Sequence, residues 1–148
     1  MFKTIKKRFK NEKGLSLVEL LAVIVILAIV AAIAIPAIGN IIKNSEAKAE
    51  VADAIQILNG ANIYFTDNPG EPKFVLANAG DYVELNGDIT AFTVTKATTA
   101  TDKNKITFTG KQVGTITDKT LEDLSNAKYS KGVVSFSPAT GPVEGEGE

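Results

Sequence analysis

The chain changes its hydrophobic rhythm twice. Residues 20–35 form a run of sixteen side chains without a polar member; Leu15, Leu17 and Val18 stand before it across Glu19, and mostly apolar residues continue it to Ile42. A spanning helix needs about 20 mostly apolar residues at about 1.5 Å rise each, so this run is long enough to cross a membrane. Between residues 40 and 65 it gives way to a stripe. Val51, Ala54, Ile55, Leu58, Ala61 and Phe65 recur at three- and four-residue spacing, which is the spacing of one helix face. Lys43, Glu46, Lys48, Glu50 and Asp53 are expected largely off that face. Thr66-Asp67-Asn68-Pro69-Gly70 gathers turn formers and a proline, and should stop the helix. One helix over residues 15–65 has 51 residues and would measure about 77 Å. That length predicts a first half in the membrane and a second half covered by the chain's own domain.

Beyond Gly70 the period falls to two. Residues 70–80 read as a loop anchored by Phe74-Val75-Leu76. Residues 81–85 alternate and end at Asn86-Gly87-Asp88, a tight-turn signal that predicts a hairpin to residues 89–95. Residues 97–104 are polar and threonine-rich, as an exposed loop would be. Residues 105–109 alternate again, and 112–117 should pair with them across Gly110-Lys111. Residues 120–124 read as a short helix with Thr120 as its cap, and 132–136 as the last strand. The expected fold is α+β: a long N-terminal helix, its first half transmembrane, packed on a C-terminal antiparallel sheet of four or five strands. The glycine- and glutamate-rich residues 141–148 are expected to form a flexible acidic tail.

Four residues interrupt the apolar pattern. Gly14 ends a lysine-rich leader, after which the apolar helix is expected to begin. Glu19 is enclosed by apolar neighbours. A carboxylate in the hydrocarbon costs roughly 2.5–3.5 kcal/mol on insertion scales, so one that persists there marks a function with a partner. Pro36 removes a helical hydrogen bond and predicts a kink, and Gly39, one turn on, adds flexibility. Patterning resumes beyond Gly39, which favours a bent helix over one ending at Ile35.

Charge sets the orientation. The net charge of −1 hides an asymmetry: Lys3, Lys6, Lys7, Arg8, Lys10 and Lys13 face only Glu12 in the leader. Setting aside these six cations and one acid from the chain's 16 basic and 17 acidic residues leaves 10 and 16, a net −6. Cations beside a spanning helix hold that end in the cytoplasm. The polybasic arm is thereby explained without nucleic acid, and the acidic remainder argues against direct nucleic-acid binding.

Gly14 followed by Leu15-Ser16-Leu17-Val18-Glu19-Leu20, after a short basic leader and before a long apolar run, resembles the class III signal of type IV pilins and pseudopilins. The resemblance covers roughly residues 3–42; Leu15 and Ser16 depart mildly from the common Phe or Met followed by Thr. It implies that a membrane prepilin peptidase cuts between Gly14 and Leu15 and N-methylates Leu15. It places the family's assembly glutamate at Glu19 and its helix proline at Pro36. On one helix face the new amine of Leu15 would lie one turn from Glu19, and the same amine on a neighbouring subunit would suit that carboxylate. The implied organisation is a cleaved leader (1–14), a transmembrane and assembly helix (15–39), a globular domain (40–140) and the tail (141–148). The implied function is that of a filament subunit serving adhesion or surface motility. The implied partners are further copies of the chain in a helical homopolymer, the peptidase, a pilus assembly platform, and the membrane before assembly. The precursor would span the cytoplasmic membrane with its leader inside, and the mature chain would stand in a surface filament. A minor pilin, or a pseudopilin of a competence or type II secretion system, carries the same signal.

Other classes are weaker. A secretory signal peptide would use Ala32-Ile33-Ala34, but Glu19 breaks its apolar core and the run continues past the site. A plain signal anchor leaves Gly14 and Glu19 as accidents. A membrane-anchored binding module that stays monomeric, recognising a ligand through the 97–104 loop, is the alternative from a different class. The chain has no cysteine and no histidine, which removes disulfides, thiol chemistry and the commonest general base and metal ligand. Asp102-Lys103-Asn104 opens like a calcium loop, but Ile106 and Thr107 stand where a ligand and a glycine are required. No phosphate loop or catalytic constellation is present. The reading is a non-enzyme without cofactor, its domain folding without metal or disulfide.

Overall fold

The computed structural model describes the backbone of residues 2–137 and the side chains of residues 17–137; the tail at 141–148 lies outside the described residues. The chain divides into two units, Met1–Gly39 and Asn40–Glu148. One helix, α1 (Phe2–Asp67), accounts for the described part of the first and opens the second. The helix does not wait for Gly14: it begins at Phe2. Lysine, arginine and glutamate are good helix formers, and one interior glycine costs only about 1 kcal/mol. It also runs through Pro36 and Gly39 without a break. It stops where the turn formers predict. Both the backbone and the side-chain N–H groups of Asn68 donate to the Tyr64 carbonyl, at 2.8 and 3.1 Å, closing the last turn before Pro69.

Within the second unit a four-stranded antiparallel sheet has the order β1 (Lys73–Val75), β2 (Ile89–Thr95), β3 (Lys105–Gly110), β4 (Gly114–Lys119). A short helix, α2 (Leu121–Ser125), leads to a separate two-stranded sheet of β5 (Lys128–Ser130) and β6 (Val133–Ser135). The expected α+β layout is therefore present, with a long N-terminal helix packed against a C-terminal antiparallel sheet.

Two strand expectations are corrected. Residues 81–85 are not a strand, and the Asn86-Gly87-Asp88 turn does not close a hairpin; β2 pairs instead with β1, Phe74 opposite Val94. The apolar positions of this stretch serve α1 rather than a ladder: Tyr82 and Val83 lie against Gly60, where a Cβ would overlap the Val83 side chain. Residues 70–80, expected as a loop, instead supply β1 and a 3₁₀ turn over Leu76–Asp81. Phe74 is fully buried, whereas Leu76 is exposed.

Two β-bulges tune which side chains face inward. In β2, Thr90 and Ala91 occupy the space opposite one residue of β3, so Ile89 and Phe92 both point to the core although they are three apart. In β4, an extra residue near Asp118 shifts the register against β3. Asp118 takes φ 51° there, and its N–H donates to Thr107 Oγ1 at 3.1 Å.

The core is one cluster joining the α1 stripe to the sheet. Val51, Ala54, Ile57, Leu58, Ala61, Tyr64 and Phe65 meet Phe74, Phe92, Val94, Ile106, Phe108 and Leu124. Burying a large aliphatic or aromatic side chain contributes roughly 1.5–3 kcal/mol, so this cluster is the main source of the unit's stability. The stripe is wider than expected. It includes Ala47, Ile57 and Tyr64, and it includes Glu50, which is 3% exposed. The expectation that Glu50 lies off this face is thus corrected. Its carboxylate is buried because it caps the β3–β4 turn, accepting from the backbone N–H of Gln112 at 2.7 Å and of Val113 at 2.9 Å.

The expected cap of α2 is present as a reciprocal pair. Thr120 Oγ1 accepts from the Asp123 N–H at 3.2 Å, and Asp123 Oδ2 accepts from the Thr120 N–H at 3.0 Å.

Candidate functional site: the N-terminal apolar helix

Among the described residues, the apolar side chains along the N-terminal part of α1 are left uncovered. From residue 17 to 42 the large hydrophobic side chains are between 48% exposed at Val23 and 72% exposed at Ile33. A surface of this kind demands an apolar surrounding other than water. The helix is long and apolar enough to cross a membrane, and none of its most apolar stretch is buried by the chain itself.

Glu19 stands exposed on this surface, flanked by Val18 (64% exposed) and Leu20 (66% exposed). Among the described residues no hydrogen bond or salt bridge reaches it. Gly14 and Leu15 lie within α1 by backbone; the Leu15 side chain is outside the described residues. Four residues of helix rise about 6 Å and return to nearly the same face, so the backbone nitrogen of Leu15 and the origin of the Glu19 side chain share one side of α1. Pro36 and Gly39 lie inside the same helix, and among the described residues no side chain or other segment comes within 4 Å of where a Gly39 Cβ would stand.

Among the described residues no group of three or more potential ligands could hold a metal. The 97–104 loop is tied down. Asn104 Oδ1 accepts from the Ala97 N–H at 2.7 Å, and its Nδ2 donates to Asn62 Oδ1 at 2.7 Å. The amide that a calcium loop would need is therefore spent internally. Lys103 pairs with Glu122 at 2.6 Å, and Lys105 with Asp102 at 3.6 Å. A groove of about 380 Å³ separates β4 from β6, bounded by Ile116, Val134 and Phe136. A second, of about 300 Å³, is lined by Glu46, Glu50, Asp88 and Lys111.

Sequence reasoning missed Glu50 as a structural carboxylate. The available signal was its place at i+3 from Ala47 and i−4 from Ala54, both small residues of the buried face. A charged residue between such positions is either off the stripe or has a partner waiting.

The family comparison falls on the first unit. A model described as the prokaryotic N-terminal methylation motif matches residues 9–35. The match spans the end of the leader, Gly14, Leu15, Glu19 and most of the apolar run, and it bears out the resemblance of this segment to the class III signal of type IV pilins. No curated protein sequence and no solved structure matches the chain. The chain therefore carries a methylation-type signal on an apolar helix suited to a membrane anchor. That combination supports a precursor of the type IV pilin or pseudopilin kind, which in general implies prepilin peptidase processing and assembly.

Proposed function

We propose that the chain is the precursor of a structural subunit of a type IV pilus. Prepilin peptidase cuts between Gly14 and Leu15 and methylates the new Leu15 amine. The leader, 1–14, stays on the cytoplasmic side, and residues 15–39 leave the membrane to enter the apolar bundle at the filament's centre. Residues 40–140 form the outward domain, and 141–148 its tail. Glu19 receives the Leu15 amine of a neighbouring copy, while Pro36 and Gly39 let the helix bend in the bundle. The filament is a homopolymer built on an assembly platform, and it serves adhesion or surface motility.

The observation that carries this reading is Glu19, exposed on an uncovered apolar helix face inside the matched motif. Heterologous contacts that do not close produce open helical filaments, and a lipid-to-bundle exchange leaves the apolar burial of the helix nearly unchanged. A carboxylate that must find an amine then fixes the register. The test is mass spectrometry of the native N-terminus together with electron microscopy of sheared surface material. The expected result is a methylated Leu15 terminus in thin filaments containing this chain, and a chain with Gly14 replaced by a bulkier residue that remains uncut in the membrane. Native filaments whose subunits begin at Met1 would overturn the processing step. A cut chain found only as membrane-bound monomers would overturn the filament.

A further inference from the structure

The dipeptide Asn-Gly occurs twice in the chain, at Asn59-Gly60 and Asn86-Gly87. It is the pairing most open to one piece of spontaneous chemistry, because glycine leaves its own backbone nitrogen sterically free to reach the preceding side chain. The two copies sit in opposite environments. Gly60 is an interior residue of α1, so its N–H is committed to the carbonyl four residues back. It is also buried under the Tyr82–Val83 backbone and the Val83 side chain. Asn59 is held in helical geometry, with the nitrogen of the next residue turned into the hydrogen-bond ladder. Asn86 and Gly87 are both exposed, in a stretch that belongs to no helix or strand. Gly87 has φ +82°, with open space around its Cα. Among the described residues its N–H makes no hydrogen bond. The Asn86 amide has one long contact, Nδ2 to Asp53 Oδ1 at 3.4 Å, too weak to fix the side chain.

We propose that Asn86 is a self-modification site, at which the Gly87 backbone nitrogen converts the side-chain amide to a carboxylate, while α1 keeps Asn59 inert. The Gly87 nitrogen loses its proton to solvent base and attacks Asn86 Cγ. A new C–N bond closes a five-membered succinimide, and the bond from Cγ to the side-chain nitrogen breaks, releasing ammonia. Water then adds to one of the two ring carbonyls and opens the ring. Opening at one carbonyl gives aspartate, and opening at the other gives isoaspartate, with the backbone rerouted through the side chain. One water is consumed and one ammonia is released.

The product would not be silent. Asn86 donates to Asp53, whose carboxyl is pushed up first by burial and then by the nearby charge of Asp88. Conversion replaces that donor with a third carboxylate, leaving Lys111, already paired with Asp88 at 3.2 Å, as a neighbouring cation. The added negative charge repels Asp53 on α1, so an aged chain would differ in charge and stability from a new one.

The test uses the full chain in detergent micelles, incubated at neutral and mildly alkaline pH and then digested with trypsin. Cleavage after lysine separates residues 49–73, which hold Asn59, from residues 74–96, which hold Asn86. Tandem mass spectrometry reads the exchange of NH for O at each asparagine. The expected result is progressive conversion at Asn86, split between aspartate and isoaspartate and faster at higher pH, exceeding Asn59 by at least an order of magnitude. In denaturant the two sites should convert at comparable rates. Asn86→Gln should abolish the product, since its cyclisation requires a slower six-membered ring. Equal conversion at the two sites in the folded chain would overturn the proposal, as would an unchanged Asn86 in the folded chain while the denatured chain converts.

Discussion

Glu50 Oε2 accepts a hydrogen bond from the backbone N–H of Val113 at 2.9 Å, joining α1 to the β3–β4 turn across 63 residues of sequence. Its other oxygen takes the Gln112 N–H at 2.7 Å. Gly110 leaves room for this arrangement: a Cβ there would overlap Glu50 Oε2 and stand 2.9 Å from Val113 Cγ2. The turn thus has glycine where the carboxylate must enter and two donors where it arrives.

Glu50→Ala should therefore destabilise the second unit by roughly 2–4 kcal/mol, because two half-buried backbone donors lose a charged acceptor and the buried Glu50 side chain leaves a cavity. Glu50→Gln should cost less, since its carbonyl still serves one N–H while its NH₂ faces the other. Chemical denaturation of residues 40–148, which contain the whole core cluster, measures both. Equal, small losses for the two variants would show that the contact is incidental.

Gly60 provides a sharper case, because two rules oppose each other. Replacing an interior helix glycine by alanine ordinarily stabilises by about 1 kcal/mol. Here the new Cβ would run into the Val83 side chain and stand 2.9 Å from the Tyr82 carbonyl oxygen. Overpacking against backbone costs about 1–3 kcal/mol, so Gly60→Ala should be net destabilising. A raised melting temperature would mean that the 82–88 stretch yields easily.

These two positions show which parts of the fold the sequence made legible. The apolar run, the 51–65 stripe, the β3–β4 pairing and the Thr120 cap rest on local spacing, which a sequence displays directly. The segment at 81–85 misled because alternation reports only that one side is covered, not by what. Tyr82 and Val83 are covered by a helix, and Phe74, placed in a loop, took the strand position beside β2. Glu50 was hidden for a related reason: its partners are backbone N–H groups distant in sequence, and these leave no trace in side-chain pattern. At the candidate site, Glu19 and Gly14 were conspicuous because each breaks a long uniform run.

Two aspartates should give the second unit opposite pH responses. The carboxyl of Asp53 is held above its ordinary value of 3.8, chiefly by burial and then by Asp88, against a lowering hydrogen bond from Asn86. An acid whose folded pKa is raised costs stability once ionised, and the cost disappears as pH falls through that folded value. Asp53→Asn should thus stabilise at neutral pH, by no more than about 0.5 kcal/mol, with the gain fading on acidification. The carboxyl of Asp123 is lowered, first by its hydrogen bond from the Thr120 backbone. Its contribution is present above the ordinary value and lost as pH falls through the depressed folded value, so Asp123→Asn should destabilise at neutral pH and converge with the parent at low pH. Melting curves of the two variants from neutral to acidic pH check both signs.

The remaining expectation concerns Glu19. Glu19→Ala should leave leader cleavage largely intact, because the bond after Gly14 lies five residues away and its leader side is unchanged. Membrane insertion should become easier, since a charge worth roughly 2.5–3.5 kcal/mol leaves the apolar segment. Filament assembly should nevertheless fail or fall sharply. An incoming Leu15 amine would enter an apolar bundle with no counter-charge, and breaking a buried pair from one side costs roughly 3–5 kcal/mol. That penalty applies to each added subunit. If Glu19 were only a favourable charge near a helix N-terminus, it would be worth about 0.3–1 kcal/mol, and filaments would persist in slightly reduced number. Expressing the variant in cells that lack the parent gene, with immunoblots for the cut form and electron microscopy for surface filaments, separates the two. Cleaved chain without filaments is the expected outcome, and filaments of ordinary length and number would remove the assembly role assigned to Glu19.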